Sequence, residues 1–487
     1  MILVVVILII LSAYMAVLLW HQYKPMPPGT DYESPVYPVA PEDVNFFYDL
    51  RYRNENGELV FEETIYPIIF HTIKSARSSV LADMFLYNSD HDVDRQIPEH
   101  RPNTGTLTEF LCTKAREGLD VVLITDEINN FYGSYESPIF QKARSHNVRT
   151  VITSLERLRD SNFLYSAWYR LFIGWIPLQG PAILRHPFGH PERKIKFLSI
   201  LRSLNFKANH RKVLVVDSNH AIITSANPHD PSSLHCNIAF SVKGNFAKEV
   251  TYAEHAVAAF SGFIMPDFIE YPPASSHSIH NVFSQSQDDK YQVQLLTEKK
   301  VKDWLLQDIQ QTAQGELIML AALYFTDRQM MREIRKAAAR GAEIRIILDS
   351  SEHAFGLRKY GIPNKHASLD LYHDPCFGRN LNIRWYKNHG EQYHSKIAAF
   401  KRGKSFVVIG GSSNFTKKNL NNYNLEMGLR IVTPPQSPLC DEVTEYFSRI
   451  WMNRQGEYTL DYEVLKDNSR LKYILYRIQE ATGICTY

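Results

Sequence analysis

The chain has 487 residues, which is too long for one hydrophobic core and predicts two or three domains or one large pseudo-symmetric body. Apolar residues make up 44% of the chain and charged residues 22%, as in an ordinary globular protein, and a net charge of +2 gives no support to a nucleic-acid-binding protein. The five cysteines are widely spread, without a C-x-x-C pair, so they predict neither a disulfide framework nor a metal site.

Residues 2–20 form an uncharged, nearly all-aliphatic segment of about the length that crosses a hydrocarbon core as a helix. A cleaved signal peptide is the alternative, but no basic region precedes the segment and no small-x-small site follows it. We therefore predict an uncleaved anchor over residues 1–22 that passes once through the cell membrane, in an orientation that the flanking Lys24 encodes only weakly. The proline-rich residues 23–45 are predicted to be an extended linker that holds the body off the membrane.

One helix–strand unit occurs twice in the chain. Residues 107–127 and residues 330–350 each contain an amphipathic helix, a glycine and a strand that ends in aspartate. The matching aspartates, Asp126 and Asp349, are 223 residues apart, and we expect them to be structural. Each unit follows another helix and strand, and this alternation predicts an α/β fold with largely parallel strand pairing.

The first copy contains an insertion. Its histidine His210 and the second copy's His394 are 184 residues apart, so the first copy carries about 39 extra residues between its aspartate and its histidine. We place the insertion at about residues 161–202, a stretch dense in aromatic side chains. It is either a core-packing excursion or an element that contacts the membrane interface or acyl chains, because Trp and Tyr favour that boundary.

A histidine–x–lysine motif begins a predicted strand in each copy, and Ser-x-Asn follows each strand. The residues are His210, Lys212, Ser225 and Asn227 in the first copy and His394, Lys396, Ser412 and Asn414 in the second. Two lysines and two sets of neutral Ser and Asn donors that converge on one point suit a phosphate diester. Two histidines can divide the work of nucleophile and general acid, so we predict a phosphohistidine intermediate with no cofactor and no metal ion.

These residues resemble the phospholipase D superfamily, whose signature is H-x-K-x(4)-D followed by G-S-x-N, usually present twice. The first copy has Asp217 and carries Thr224 in place of the glycine, whereas the second copy has Lys401 where the aspartate is expected. The resemblance covers roughly residues 60–452. It implies two pseudo-symmetric α/β halves, each a mixed sheet flanked by helices, around one active site that cleaves or transfers phosphodiesters.

The domain boundaries follow from the repeat and this resemblance. We predict a first half at residues 46–280, a second half at residues 281–455 and a C-terminal tail at residues 456–487. The stretches 353–364 and 384–396 look like the bacterial cardiolipin synthase and phosphatidyltransferase-like branch. The tail is either a solvated amphipathic helix or a surface that sits on anionic headgroups.

The two copies differ in their acids. The family has an acid in a pattern like N-x-E that hydrogen-bonds a catalytic histidine, and Glu426 fits it, twelve residues after Asn414. The same count from Asn227 reaches Ala239 in the first copy. Since a carboxylate fixes the imidazole tautomer and stabilises the imidazolium, we predict that Glu426 supports His394 as nucleophile and that His210 is the general acid and base.

Several other polar residues are assigned from their positions alone. Asp217 is predicted to support its own strand end and loop, and Lys401 to lie outside the site on a turn. His389 and Glu391 precede the second motif and are candidates for shaping the site entrance. Three further histidines are taken as ordinary: His71, His220 and His235.

We therefore predict a membrane-anchored phosphodiesterase or phosphatidyltransferase of phospholipid metabolism, similar to cardiolipin synthase, whose partners are phospholipid and membrane. The alternative is a nuclease or other phosphodiesterase of the same superfamily; the near-neutral charge makes nucleic acid an unlikely partner. A degenerate member that only binds is the third hypothesis, because one Asp and one Glu are missing from the repeated pattern.

Overall fold

The computed structural model describes residues 1–89, 100–187, 189, 192–265, 290–354 and 357–487. The predicted boundary between the halves, at residues 280 and 281, lies outside the described residues. Residues 355 and 356, within one of the stretches that resemble cardiolipin synthase, also lie outside them.

The chain begins with one long helix, and the first half follows. The N-terminal elements are α1 (Ile2–Tyr23), β1 (Tyr37–Val39), β2 (Val44–Tyr48), β3 (Leu50–Asn54) and β4 (Leu59–Glu62). Next come α2 (Ile65–Lys74), β5 (Ser79–Met84), α3 (Asn103–Arg116), β6 (Asp120–Thr125), α4 (Pro138–Ser145) and β7 (Arg149–Ile152). The insertion contains α5 (Phe163–Phe172), β8 (Leu184–Arg185), β9 (Lys194–Ile195) and α6 (Phe197–Ser203). The half ends with β10 (Lys212–Val216), β11 (His220–Thr224), β12 (Ile238–Lys243) and α7 (Phe246–Phe260).

The second half repeats this order without the insertion. Its elements are β13 (Tyr291–Thr297), α8 (Lys299–Gln311), β14 (Leu317–Ala322), α9 (Arg328–Ala339), β15 (Glu343–Leu348), β16 (His353–Ala354) and β17 (Leu357–Arg358). They continue with α10 (Asn364–Ala367), α11 (Leu369–Tyr372), β18 (Leu381–Tyr386), β19 (Lys396–Lys401), β20 (Phe406–Gly411), α12 (Lys417–Leu420), β21 (Met427–Thr433) and α13 (Pro438–Trp451). The tail contains β22 (Gly456–Glu457), β23 (Thr459–Asp461), α14 (Tyr462–Leu465) and α15 (Arg470–Thr482).

Each half is built on one mixed sheet. The first sheet has the order β2-β12-β11-β10-β5-β6-β7, and the second has the order β1-β13-β21-β20-β19-β14-β15-β18-β23. When the edge strands β1 and β23 are set aside, the two orders correspond strand for strand. β5, β6 and β7 pair in parallel, as do β14, β15 and β18, and the other neighbours are antiparallel. The predicted α/β fold with two pseudo-symmetric mixed-sheet halves is confirmed.

Local sequence explains the repeated helix–strand unit. In α9 the N-cap Asp327 accepts hydrogen bonds from the backbone N–H groups of Gln329 and Met330, which have no partner within the helix. The helix buries one apolar face, and Gly341 then takes a φ of 91°, a left-handed conformation that glycine adopts without a steric penalty. The chain can therefore reverse directly into the buried strand β15.

The two sheets pack against each other through their central antiparallel strands. Gly410 of β20 lies so close to Phe240 of β12 that a Cβ atom on the glycine would be 2.7 Å from the phenyl ring. One core cluster contains residues of both halves, including Phe240, Val408 and Met427. Burial at this interface stabilises the pairing of the halves at roughly 25 cal/mol per Å² of apolar surface.

The segment after α1 differs from the predicted extended linker. β1 pairs with the edge strand β13, and the hydroxyl of Tyr32 donates a hydrogen bond of 2.5 Å to Glu249. The prediction of a free tether over residues 23–45 is therefore wrong for residues 31–39, which belong to the body. Short edge strands that contain proline, such as β1 with Pro38, carry little periodic signal.

The tail is also part of the body. β22 pairs with β3 of the first half, and β23 extends the second sheet at β18. Tyr476 of α15 and the terminal Tyr487 are buried in the second core cluster. The tail therefore contacts both halves and does not form a separate domain.

Among the helices of the described residues, α1 alone is long and apolar enough to cross a membrane. Leu18 is its one buried residue. The helix is consistent with the predicted anchor.

Candidate active site

The two histidine motifs meet where the halves interlock. The backbone N–H of His210 donates to the carbonyl of Leu425 at 2.9 Å, and that of His394 donates to the carbonyl of Cys236 at 2.8 Å. In return, Leu425 N–H donates to Ala208, and Cys236 N–H donates to Gln392. Each motif is therefore held by the segment that precedes β21 or β12 of the opposite half, and the two form one site.

Both motif lysines are buried beside their own histidine. Lys212 Nζ donates to the carbonyl of His210 at 2.7 Å, and Lys396 Nζ donates to the carbonyl of His394 at 2.8 Å. Burial lowers the pKa of Lys212 to about 7, although Glu426 opposes the shift. Burial, together with the charge of Lys212, holds the pKa of Lys396 well below its usual range. Because the charge of Lys212 acts on Lys396, an anion between the two side chains would stabilise both ammonium groups.

His210 has a carboxylate partner from the other half. Its Nδ1 lies 3.0 and 3.1 Å from the two carboxylate oxygens of Glu426, which is fully buried. Ser412 and Asn419 each donate a hydrogen bond to this carboxylate. Because the carboxylate can only accept, Nδ1 of His210 carries the proton and Nε2 keeps its lone pair.

His394 has a neutral partner in the equivalent place. Its Nδ1 lies 2.9 Å from Oδ1 of Asn237, whose amide nitrogen donates to the carbonyl of His235. Ser225 donates to the same Oδ1 at 3.0 Å, as Ser412 does to Glu426. The site is thus pseudo-symmetric in geometry and asymmetric in charge.

The predicted pairing of Glu426 with His394 is wrong. Glu426 hydrogen-bonds His210, because each histidine contacts the segment that precedes a strand of the opposite half. Its structural counterpart is Asn237 and not Ala239, because the loop that follows Asn227 is two residues shorter than the loop that follows Asn414. The pair is identified by its position immediately before β12 in the first half and β21 in the second.

The two motif serines hydrogen-bond the partners of the histidines. Ser412 Oγ donates to Glu426 and accepts from Met427 N–H at 3.0 Å. Ser225 Oγ donates to Asn237 and accepts from Ile238 N–H at 3.0 Å. The prediction that these hydroxyls bind the substrate phosphate is therefore corrected: they orient the partners of the histidines.

The motif asparagines differ in their hydrogen bonds. Asn227 Oδ1 accepts from Leu86 N–H at 3.3 Å, whereas Asn414 Oδ1 is buried and has no hydrogen-bond partner among the described residues. Both side chains are almost completely buried. Their role in binding phosphate stays a prediction.

The imidazoles are neutral in the free site. Burial lowers the pKa of His210 to about 4, although Glu426 opposes the shift. Burial, followed by the charge of Lys396, holds the pKa of His394 well below its usual range. The ring of Phe85 lies 4.8 Å from that of His210, centre to centre, and contributes to the dry environment.

Two aspartates position the motifs through the backbone. Asp126 accepts from the N–H of Asn209, the residue before His210, at 2.7 Å, and Asp349 accepts from the N–H of Tyr393, the residue before His394, at 2.8 Å. Burial raises the pKa of Asp126 to about 8. These contacts give the repeated aspartates a positioning role at the carboxyl ends of β6 and β15.

Asp217 lies at the far end of its strand. Its carboxylate accepts from the backbone N–H groups of residues 77–79 at distances of 2.8 to 3.2 Å, so it fixes the turn before β5. Lys401, which stands in the corresponding place of the second copy, is exposed at the end of β19. Neither residue contacts the motif histidines.

Glu298 was missed by the sequence analysis. Its Oε1 accepts from the backbone N–H of Glu426 at 3.1 Å, and its own N–H donates to the carbonyl of Glu426 at 3.2 Å. The same oxygen accepts from Arg211 at 2.7 Å, while Oε2 accepts from Asp31 N–H at 2.6 Å. Its φ of 48° is unusual for a residue with a side chain and marks local strain.

The structure also places the four histidines outside the motifs, and Glu391, that the sequence analysis named. The ring centre of His235 lies 5.8 Å from that of His394, so a histidine taken as ordinary borders the site. Glu391 accepts from His389 N–H, and burial raises the pKa of Glu391 to about 7. His220 contacts Ser241 at 2.7 Å beside its strand end, and His71 lies in the last turn of α2.

Comparison with known families is consistent with this geometry. Residues 305–451, which include His394, Lys396, Asn414 and Glu426, match the family model described as cardiolipin synthase, PLD-like domain. That match lies within the second half and is to a phospholipase D-like domain. No curated protein sequence matches the chain significantly.

One solved structure has the same fold over most of the chain. Phosphatidylserine synthase from Haemophilus influenzae Rd KW20 superimposes with a TM-score of 0.59 at 12% identity, over 92% of this chain and 96% of that one. Polyphosphate kinase from Porphyromonas gingivalis has a TM-score of 0.44 at 10% identity, over 90% of this chain and 56% of that one. Nuc from Salmonella typhimurium, a phospholipase D family member, has a TM-score of 0.26 at 20% identity, over 34% of this chain and 97% of that one. At TM-scores this low, the last two likenesses do not bear on function.

Proposed function

We propose that the protein is a membrane-anchored phosphodiesterase or phosphatidyltransferase that acts on phospholipids through a phosphohistidine on His210. The observation that carries the proposal is the single carboxylate: of the residues that the structure describes, Glu426 alone supplies an acid to either motif histidine, and it contacts His210. The cardiolipin synthase family model and the likeness to phosphatidylserine synthase support a phospholipid as substrate.

In the first step, Nε2 of His210 attacks the phosphorus of the diester. A P–N bond forms as the bond to the leaving alcohol breaks, and His394 gives its Nε2 proton to the departing oxygen. The imidazole of His210 gains positive charge as it is phosphorylated. Glu426, held by Ser412 and Asn419, stabilises that charge without reorganising.

In the second step, water or an acceptor alcohol attacks the phosphohistidine. His394, now neutral, takes the proton of the attacking hydroxyl, and the P–N bond breaks to restore His210. Water gives hydrolysis to a phosphatidic acid, whereas an alcohol gives transfer of the phosphatidyl group. The same residues serve both outcomes, and access of the acceptor decides between them.

Binding of the diester prepares the site electrostatically. Burial lowers the pKa values of the two lysines, and the charge of Lys212 lowers that of Lys396 further. A phosphate anion between them reverses both effects and also raises the pKa of His394 towards the range that a general acid needs. No step of this scheme requires a metal ion.

The test is a panel of phospholipids labelled in the phosphate, with and without an acceptor alcohol, and a single-stranded DNA arm. Wild type is compared with His210→Ala and His394→Ala. We expect lipid turnover that both substitutions abolish. Turnover of the DNA alone, with a steep salt dependence, would favour the nuclease hypothesis, and binding of lipid without turnover would favour a degenerate binding protein. Lipid turnover that survives both substitutions would refute the mechanism.

A further inference from the structure

The insertion carries an exposed apolar surface. Trp168 and Phe172 of α5 are 40% and 45% exposed, and beyond the helix Trp175 and Ile183 are 72% and 68% exposed. Large side chains in this number, close together in the sequence, mark a binding surface in a soluble body, because water solvates them poorly. Tryptophan in particular favours the boundary between lipid and water.

The insertion packs against α1. The hydroxyl of Tyr14 donates to the carbonyl of Leu164 at 2.8 Å, and the backbone N–H of Asp160 donates to the carbonyl of His21 at 3.0 Å. Every partly buried or buried residue of α1 lies between Tyr14 and Gln22, whereas residues 2–13 are all exposed. The contact is therefore confined to the C-terminal part of the helix.

The length of α1 determines how deep in a membrane its contact with α5 would lie. An α-helix rises 1.5 Å per residue, so the exposed residues 2–13 span about 18 Å and the whole helix spans about 33 Å. A hydrocarbon core is about 30 Å thick. If α1 crosses it, the residues that contact α5 lie inside the hydrocarbon, and α5 lies beside them.

The insertion is also strongly basic. Residues 161–202 contain six Lys and Arg against a single acid, Glu192, although the whole chain has a net charge of only +2. Arg185 and Lys194 stand directly opposite each other in the β8–β9 hairpin, and both are exposed. Basic residues next to an immersed apolar face are typical of contact with anionic lipid headgroups.

The C-terminal helix carries a second exposed apolar surface. Leu471, Ile474, Leu475 and Ile478 form an exposed row along α15 at helical spacing. Gly483, which ends α15 in a left-handed conformation, packs so tightly against Ser161 that a Cβ atom would be 1.9 Å from the serine carbonyl oxygen. The end of α15 is thus in contact with the start of the insertion.

We propose that α1, the insertion and α15 form one membrane-binding surface, with α5 immersed in the leaflet that holds the C-terminal end of α1. The occupant is a bilayer leaflet that contains anionic phospholipid. The basic β8–β9 hairpin lies on the headgroups, and the insertion ends eight residues before His210, so the first histidine motif is held at a fixed height above the lipid phosphates. This arrangement is independent of the proposed chemistry.

The test places a spin label in the full-length protein, reconstituted in vesicles of phosphatidylcholine and phosphatidylglycerol. The labelled variants are Phe172→Cys and Ile478→Cys, with Lys404→Cys on an exposed hairpin turn as the matched control, in a Cys376→Ser background because the other cysteines are buried. Collision with oxygen, which partitions into lipid, is compared with collision with a water-soluble nickel complex. We expect oxygen to dominate at 172, both to contribute at 478, and nickel to dominate at 404. Labels at 172 and 478 that behave like the label at 404 would overturn the proposal.

A charge test separates the headgroup contact from simple insertion. In anionic vesicles, Arg185→Gln with Lys194→Gln should move the label at 172 towards water, whereas Lys401→Gln with Lys404→Gln removes the same charge elsewhere and should not. In vesicles of phosphatidylcholine alone, neither pair should change the depth. An equal shift from both pairs, or no shift from the first, would overturn the assignment of the hairpin to anionic headgroups.

Discussion

Replacing Glu426 by glutamine removes the carboxylate that contacts His210 and keeps the size of the side chain. In the wild type, one carboxylate oxygen of Glu426 accepts a hydrogen bond from Asn419 and the other accepts one from Ser412. Nδ1 of His210 lies 3.0 and 3.1 Å from these two oxygens. A glutamine has one oxygen for these three donors. If that oxygen keeps accepting from Asn419, the amide N–H groups face His210. The imidazole then accepts at Nδ1 and carries its proton on Nε2, so Nε2 has no lone pair for the attack.

The size of the effect follows from the charge that forms on His210. A hydrogen bond to a charged group contributes about 1.5–3 kcal/mol, and removing one partner of a buried pair costs about 3–5 kcal/mol. Since about 1.4 kcal/mol changes a rate tenfold, we expect kcat to fall by about 10²–10⁴ with little change in KM. The loss appears in kcat because the charge develops only in the transition state.

The assay is steady-state turnover of the best phospholipid from the panel, together with single-turnover measurement of phosphoenzyme formation. The matched control is Asn237→Ala, which removes the equivalent neutral partner of His394 and should cost less, about tenfold, since a neutral hydrogen bond contributes about 1 kcal/mol. Retention of activity within about threefold of wild type in Glu426→Gln, or a larger loss in Asn237→Ala, would refute the reasoning.

Three further changes test the surroundings of the site. Asn237→Asp places a carboxylate against His394, which should raise the pKa of that imidazole and move the alkaline limb of the pH–kcat profile upwards by about one unit or more; an unmoved limb would contradict the assigned general acid. Glu298→Ala removes the acceptor for the backbone N–H of Glu426 and should lower kcat at least about tenfold at constant KM, and Glu298→Gln should restore part of it; a pure loss of folded protein would contradict this positioning role. The pKa of His210 is about 4 in the folded protein and 6.5 in the unfolded chain. The unfolded chain therefore binds more protons between these two values, and stability falls as the pH falls through this window. Between pH 7 and pH 5, wild type should lose about 2 kcal/mol more of its unfolding free energy than His210→Asn in denaturant titrations, and an equal loss would contradict burial of a neutral imidazole.

The sequence predicts most of the fold because the repeat is regular. Matching glycines and aspartates at one offset revealed two equivalent units, and their buried strands became the corresponding sheets. The histidines, lysines and asparagines of the motifs were found in the same way. The predicted site residues converge because each motif begins the central strand of its sheet.

The hydrogen-bond partner of each motif histidine could not be predicted from the sequence of one half alone. Counting residues from Asn227 and Asn414 assumes loops of equal length and partners within one half. The structure violates both assumptions, since Asn237 comes two residues sooner than the count allows and each histidine is hydrogen-bonded from the other half. Contacts between sequence-distant segments leave no trace in local periodicity, and for the same reason Glu298 was missed.

The segment after α1 shows another limit of sequence patterns. Three residues of β1 suffice to extend a sheet because the partner strand β13 supplies the register. Proline-rich composition predicted an extended segment but says nothing of where its backbone groups find partners. Tertiary contacts with Glu249 and Glu298 decide its conformation.

The central claim is that His210 forms the covalent bond to phosphorus and that His394 moves the proton. The most direct measurement is rapid acid-free quenching during turnover of a phosphate-labelled phospholipid, followed by peptide mapping of the labelled histidine by mass spectrometry. We predict that the phosphoryl adduct lies on His210 and that it accumulates in His394→Ala with a good leaving group. An adduct on His394, or its persistence in His210→Ala, would contradict the account.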